Sequence, residues 1–222
     1  MKNNDFKNGI ILLSGGLDSL VSLDISKKEL NVRLALTFNY GQKAFDDELE
    51  ASIKMAKYYN IEHLVIDLPF LKDLSSNALT EENDDNFNDL NSVWIPNRNG
   101  LFLNIAGAYA DKNNYNFIIF GANKQEAQHF PDNTKEFIQK SNEFFSYSTL
   151  NKVKVFAPCQ DFDKIDIINY AIDNNVPLNL LKSCYQDSKK TGKKHCLKCM
   201  SCKLLYEAIK KSKNPNLAEE LF

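Results

Sequence analysis

Apolar and polar positions in the first third of the chain follow two alternating periods. Gly9-Ile10-Ile11-Leu12-Leu13 is a short unbroken apolar run closed by Ser14-Gly15-Gly16, the pattern of a strand covered on both faces of a parallel sheet. Over residues 17–28 the spacing turns helical, with Leu17, Leu20, Val21, Leu23 and Ile25 apolar. Residues 32–38 predict a second strand. Residues 46–59 predict a second helix with Leu49, Ile53, Met55 and Ala56 on its buried stripe, and residues 62–67 a third strand. Strands alternating with helices of this length make βαβ units and a parallel sheet.

The rhythm breaks between residues 69 and 100. Glu81-Glu82-Asn83-Asp84-Asp85-Asn86 is polar and acidic with no apolar period, and predicts an exposed, mobile excursion: a lid or binding segment, or an insertion without a role. Regularity returns with helices predicted over 101–111, 134–145 and 164–174, strands over 117–120 and 153–157, and a last helix over 202–211. There is no internal repeat and no linker of Pro or Ser. The expected organisation is one domain over residues 1–222, with residues 184–222 as a small cysteine-bearing appendage.

Composition narrows this picture only a little. Lys and Arg number 27 against 29 Asp and Glu, a net charge of −2, which leaves no wide basic face for a nucleic acid. No apolar stretch precedes Gly9 and no run approaches the ~18 apolar residues of a membrane span, so a cytoplasmic protein is expected. Thiols stay reduced there, and the five cysteines read first as something other than disulfides.

Two stretches carry chemistry. Ser14-Gly15-Gly16-Leu17-Asp18-Ser19 lies between the first strand and the first helix. Its glycines let the backbone turn sharply and approach a ligand, the helix start offers unpaired N–H groups to an anion, and Ser14 and Ser19 add hydroxyls. A carboxylate at Asp18 does not suit a bare phosphate cradle, but a bound Mg²⁺ reconciles it with phosphate oxygens. The plainer reading is a strand-to-helix turn with Ser and Asp as caps. In the tail, Cys196, Cys199 and Cys202 form C-x-x-C-x-x-C, with Cys184 upstream. Four thiolates at this spacing suit a closed, structural Zn²⁺ site; an iron–sulfur cluster or spacing without a metal are the alternatives. His195 is expected to face solvent, and Cys159 to serve packing.

The pattern SGGxDS after a first strand resembles that of the PP-loop ATP pyrophosphatases, and the chain from about residue 9 to 207 is similar within them to the 7-cyano-7-deazaguanine synthase family. Further resemblances are Phe38-Asn39-Tyr40-Gly41-Gln42 to F-x-Y-G-Q, Asn77-Ala78-Leu79-Thr80 to S/N-A-L-T, and Ile95-Pro96-Asn97-Arg98-Asn99 to V-P-x-R-N. Gly121-Ala122-Asn123 resembles G-x-N, Phe130-Pro131-Asp132 with Glu136-Phe137-Ile138 resembles Y-P-D…E-F-I, and Asp163-Lys164-Ile165-Asp166-Ile167 resembles T-K-x-E-I. Ser183-Cys184-Tyr185 and the three later cysteines match S-C-Y…C-G-x-C-x-x-C. Two departures stand out: Gln125 to His129 occupy the place of D-Y-S-G, a segment expected to wall the substrate, and Leu197 replaces a glycine.

The resemblance implies an α/β, Rossmann-like fold of the adenine nucleotide α-hydrolase (PP-loop) type with a zinc-binding helical appendage. It implies ATP, Mg²⁺ and Zn²⁺, with 7-carboxy-7-deazaguanine and ammonia as substrates, no nucleic-acid or membrane partner, and a homodimer. The nucleotide would lie on Leu12, Leu13, Ser14, Gly15, Gly16, Leu17, Asp18, Ser19, Leu20 and Val21, with Phe38 and Tyr40 near the adenine. Asp18, Arg98 and Lys164 would serve the reaction, Arg98, Asn123 and Asp132 the substrate, and Cys184, Cys196, Cys199 and Cys202 the metal. Arg98 and Lys164 also read as surface ion pairs, Tyr40 as a packed sheet-end aromatic, and Asp132 as a turn stabiliser. Another amide- or thio-forming PP-loop enzyme, or a non-catalytic nucleotide sensor, are the remaining functional readings.

Overall fold

A computed structural model describes residues 7–74, 77–81, 86 and 90–222. The acidic stretch expected to form an excursion falls largely outside the described residues. In chain order, the elements are β1 (Asn8–Leu12), α1 (Leu17–Glu29), β2 (Asn31–Asn39), α2 (Phe45–Tyr58), β3 (Glu62–Asp67) and a short α3 (Phe70–Asp73). There follow α4 (Arg98–Lys112), β4 (Phe117–Ile119), α5 (Lys135–Ser148), β5 (Lys154–Phe156) and α6 (Lys164–Asp173), and then α7 (Ser188–Thr191), α8 (Met200–Lys210) and α9 (Leu217–Leu221).

The five strands form one parallel sheet in the order β3-β2-β1-β4-β5. The predicted strands are present with ends shifted by a residue or two. From β1 the chain builds outward through β2 and β3, then crosses back to lay β4 on the other side of β1. That reversal opens a crevice at the carboxyl ends of β1 and β4, where open α/β sheets bind ligands.

Both faces of the sheet are covered, so alternate residues of β1 go to different cores. Ile10 and Leu12 pack with α4 and α5, while Ile11 and Leu13 pack with α1, α2, α6 and α8. Ile10 and Ile11 are fully buried, which stabilises the fold by roughly 2–3 kcal/mol for each side chain. On α2 the buried positions are Ala51, Ser52, Met55 and Ala56. Ile53, expected on that stripe, is 48% exposed, because one residue past Ser52 turns the side chain about 100° off the buried line.

Three local devices aim side chains at the crevice. Gly121, just after β4, lies so close to α1 that a Cβ would sit 3.1 Å from the Ser19 amide nitrogen, so a larger residue would push the strand exit off the helix start. Before α4, Asn97 takes a left-handed conformation at φ 53°, which asparagine tolerates, and this sets Arg98 as the first helical residue. At α6 a capping box does the same for Lys164: Asp163 Oδ1 accepts from the amides of Ile165 and Asp166, and Asp166 Oδ2 accepts from the Asp163 amide. That local chemistry is a helix-start signature.

Candidate nucleotide site and metal centre

The crevice holds a cavity of about 370 Å³, within the range of small-molecule sites. Its floor is the Ser14–Ser19 loop. Gly15 is left-handed (φ 76°), and a Cβ there would lie 2.8 Å from the Glu48 carbonyl oxygen and 2.9 Å from the Ala51 Cβ. Gly16 differs. It has ordinary extended backbone, and a Cβ there would meet nothing nearer than the Ser14 Oγ at 3.4 Å. The protein itself does not need a glycine at that place, but a ligand lying against the backbone would. The two hydroxyls brace the loop: Ser19 Oγ donates to the Gly16 carbonyl (3.0 Å), lies 3.2 Å from Ser14 Oγ and accepts from the Ser14 amide at 3.3 Å. No side chain caps α1, so its first N–H groups remain available to an anion.

Asp18 leads into a charged cluster. Its Oδ2 and the Glu126 Oε1 both accept from the Lys164 ammonium, the latter at 3.1 Å. Burial pushes the Asp18 carboxyl up despite the ammonium beside it. Burial works the same way on Glu126, but there the Lys164 charge and hydrogen bond prevail and hold the group below its usual range. The two carboxylates in turn raise the Lys164 ammonium against the burial that opposes its charge. Asp18 Oδ1 is buried without a hydrogen-bond partner. An orphaned carboxylate oxygen on the wall of a phosphate loop fits a hard divalent cation such as Mg²⁺.

The opposite wall carries Arg98, Tyr40, Trp94, Phe130, Asp132 and Tyr185. The Arg98 guanidinium lies over the rings of Tyr40 and Phe102, 5.5 and 5.9 Å from their centroids, and donates to the Tyr40 hydroxyl at 3.4 Å. Burial pushes the Tyr40 phenol up to about 12, so it stays a neutral donor at neutral pH. Burial likewise raises the Asp132 carboxyl, partly offset by the Arg98 charge. Phe130 stacks on Trp94 with ring planes 5° apart. This end therefore offers flat apolar faces, the Arg98 cation and the Asp132 carboxylate, with Glu48 also acting on Arg98 and Tyr40, a set that suits a planar heterocycle bearing N–H donors and an acid group.

Behind the loop, the four sulfurs of Cys184, Cys196, Cys199 and Cys202 lie within 4.8 Å of one another. A tetrahedron of 2.3 Å metal–sulfur bonds has edges of about 3.8 Å, so the donor set fits a tetrahedral ion. Amide N–H groups of Lys198 and Cys199 donate to Cys196 Sγ at 3.3 Å, and that of Gln186 to Cys184 Sγ at 3.4 Å. The knuckle turns through Leu197, which is left-handed at φ 58°. Here is the physical reason a glycine suits that position: the turn is made, and leucine bears its strain.

The cluster is tied to the cavity by the segment between Lys182 and Ser188. The Lys182 amide donates to the Gly15 carbonyl at 2.8 Å. Its ammonium donates to Asp47 Oδ2 at 2.6 Å and the Gln186 carbonyl at 3.0 Å, and Asp47 also accepts from the Ser188 amide and hydroxyl. His195 is not at the surface, as expected from sequence, but 1% exposed. Its Nε2 accepts from the Ser183 amide (3.2 Å) and its Nδ1 lies 2.7 Å from the Leu221 carbonyl oxygen, which makes it the neutral Nδ1–H tautomer and a clamp between the cluster and α9. Burial lowers its pKa accordingly. Cys159 is fully buried with the Ser22 hydroxyl at 3.4 Å.

The fold thus brings together on one cavity Leu12, Leu13, Ser14, Gly16, Leu17, Asp18, Ser19, Phe38, Tyr40, Arg98, Asp132 and Lys164. It does not bring Gly15, Leu20, Val21 or Asn123 to that surface. Leu20 and Val21 are fully buried in the core beneath α1, and Asn123, also fully buried, accepts from the Glu126 amide at 2.9 Å. Neither Arg98 nor Lys164 is a surface ion pair: Lys164 is paired inside the cavity, and Arg98 has no carboxylate oxygen within 4.0 Å among the described residues. Glu48 and Lys182 line the cavity without having been singled out, together with Glu126 and with Tyr185 of the matched S-C-Y motif. Glu126 lay in the segment marked as divergent; Lys182 adjoins a matched motif but carries no pattern of its own. Gln42, read only as part of a motif, staples the β2 exit by accepting from the Tyr40 amide and donating to the Phe38 carbonyl and Glu48.

Comparison with known proteins agrees with this geometry. The family described as "Queuosine biosynthesis protein QueC" matches residues 8–213. The 7-cyano-7-deazaguanine synthase of Pelotomaculum thermopropionicum is 43% identical over 90% of this chain and 96% of its own length, and that of Carboxydothermus hydrogenoformans is 42% identical over 91% and 98%. The NH3-dependent NAD synthetase of Campylobacter jejuni shares the fold at 19% identity, with a TM-score of 0.51 over 98% of this chain and 89% of that one. Among the described residues no helix is long and apolar enough to cross a membrane. With the sheet order, the phosphate-loop cavity and the cluster of four cysteines all present, the chain is an enzyme of the QueC family of queuosine biosynthesis proteins.

Proposed function

We propose that this enzyme converts 7-carboxy-7-deazaguanine and ammonia to 7-cyano-7-deazaguanine, using ATP and releasing AMP and pyrophosphate. The observation that carries the reading is the single cavity shared by a phosphate loop and, across from it, Arg98, Asp132 and stacked aromatic rings. A nucleotide and a planar acid placed there face one another. The substrate carboxylate attacks the α-phosphorus and pyrophosphate leaves. Ammonia then displaces AMP to give the amide, and a second ATP activates the amide oxygen so that loss of AMP leaves the nitrile. Activation is needed because a carboxylate oxygen is a poor leaving group at neutral pH and AMP a good one.

In this reading Ser14, Gly16 and Ser19 hold the phosphates and Lys164 stands by the α-phosphate. Arg98 orients the substrate carboxylate, and Asp132 accepts from the heterocycle's N–H groups. Asp18 would hold Mg²⁺, which when bound supplies charge neutralisation for the pyrophosphate. Zn²⁺ on the four cysteines would be structural, since four protein ligands leave no open position. Positioning and electrostatic complementarity supply most of the acceleration. Residues 1–222 are read as one PP-loop domain with residues 184–222 as its metal-binding part, working in the cytoplasm as a homodimer.

The test is pyrophosphate release with 7-carboxy-7-deazaguanine and ammonium, with mass detection of the nitrile. Release that depends on both substrates is expected; release only with another acid, or products ADP and phosphate, would replace the assignment.

A further inference from the structure

Lys182 lines the cavity and has no part in the reaction just described. Its main chain is built against the phosphate loop: the amide donates to the Gly15 carbonyl, and the Lys182 carbonyl oxygen lies 3.9 Å from where a Cβ on Gly16 would sit. Its side chain is 2% exposed, and a buried ammonium must spend its three N–H groups on acceptors. Two are accounted for, on Asp47 and the Gln186 carbonyl. Asp47 does not depend on Lys182 alone, because Ser188 gives it an amide and a hydroxyl donor at 2.7 and 2.6 Å. The ammonium can therefore turn a donor to a new acceptor without stripping Asp47.

The other cations of the site are committed differently. Lys164 is shared by Asp18 and Glu126, so that cluster carries a net negative charge, and Arg98 sits over Tyr40 on the far wall. A polyphosphate held by the Ser14–Ser19 loop would meet hydroxyls and amides there but no cation supplied by the loop itself. We infer that Lys182 lends its ammonium to the β,γ-phosphate end of the bound nucleotide, so that the metal-anchored tail completes the phosphate site. This rests on the nucleotide reading above and adds a residue to it.

The test is calorimetric titration of ATP, pyrophosphate and AMP into the zinc-loaded full chain and its variants. Loss of one charge-assisted contact should weaken ATP and pyrophosphate about 10- to 100-fold in Lys182→Met, with AMP binding unchanged, since AMP lacks the phosphates concerned. Lys182→Arg should keep most of the affinity. Because Lys182→Met leaves the half-buried Asp47 without its cation, the double variant Lys182→Met/Asp47→Asn removes both charges. It should fold, keep its metal and still bind ATP weakly. Recovery of ATP affinity in the double variant, or an equal loss for ATP and AMP, would make Lys182 a mere tail anchor and overturn the inference. Wild-type protein that binds neither ATP nor pyrophosphate would remove the nucleotide reading itself; wild-type binding matched by Lys182→Met removes only the role of Lys182.

Discussion

The phosphate loop and the cysteine tail meet at the Gly15 carbonyl, yet they are held in place by opposite means. The loop is nearly self-sufficient. Within six residues its hydroxyls and amides brace one another, and the strand before it is almost wholly buried. The tail has short helices and little apolar surface between Ser188 and Lys194. Its later helices, α8 and α9, pack Leu205, Ile209 and Leu221 into the core, but the stretch leading up to them takes its shape from four sulfurs, one ion pair and one buried histidine. A motif that folds by local geometry tolerates distant change, whereas a segment held by a few long-range contacts fails when any of them goes. The comparison predicts that insults to the tail cost activity before they cost the sheet.

Removing the metal should have the largest effect. Chelation, or Cys199→Ser, is expected to lower pyrophosphate release at least about 100-fold while far-ultraviolet circular dichroism keeps most of the helix and strand signal. Full activity in metal-free protein would show that the tail holds itself.

The two loop glycines sharpen the contrast from the other side. Gly15→Ala forces a left-handed alanine against backbone, and should destabilise by about 2 kcal/mol or more, a fall in Tm of roughly 4–8 °C for a chain of this size. Gly16→Ala should change stability by less than about 0.5 kcal/mol yet weaken ATP binding about tenfold. Thermal melts and calorimetry on the pair separate a glycine required by the fold from one required by the ligand.

Acid reports on tail docking through Asp47. Burial works to raise this carboxyl, but the donations from Lys182 and Ser188 outweigh it and hold the group below its usual range. Its contribution is complete above the unfolded carboxylate pKa of about 4 and is lost as pH falls through the lower folded value. Wild-type Tm should thus drop more steeply below about pH 4 than that of Asp47→Asn; parallel curves would remove Asp47 as the anchor. The smallest effect is expected at the knuckle, where Leu197→Gly relieves the left-handed leucine and should raise stability by about 1 kcal/mol, read as a higher Tm of the metal-loaded protein.

Much of the site was legible because its parts are local. A buried apolar run before SGG and a helical period after it fix a strand, a turn and a helix start within a dozen residues, and the helical period from residue 164 places Lys164 at the start of α6. Leu20 and Val21 adjoin the loop in sequence, but they lie about one turn further along α1 than Leu17, where their side chains are buried in the core. His195 was misjudged because polar neighbours in sequence say nothing about α9 folding over it.

Residues close along the chain were enough to specify the alternation of strands and helices, the phosphate loop and the four sulfurs, since each is a short-range pattern. The long-range pairings were settled by the fold alone: Asp18 and Glu126 share one lysine, Arg98 lies over Tyr40, and Lys182 reaches Asp47 from 135 residues away. Pairings of that kind depend on which strand lies beside which, and a buried charge finds its partner only when the sheet order has brought the two together.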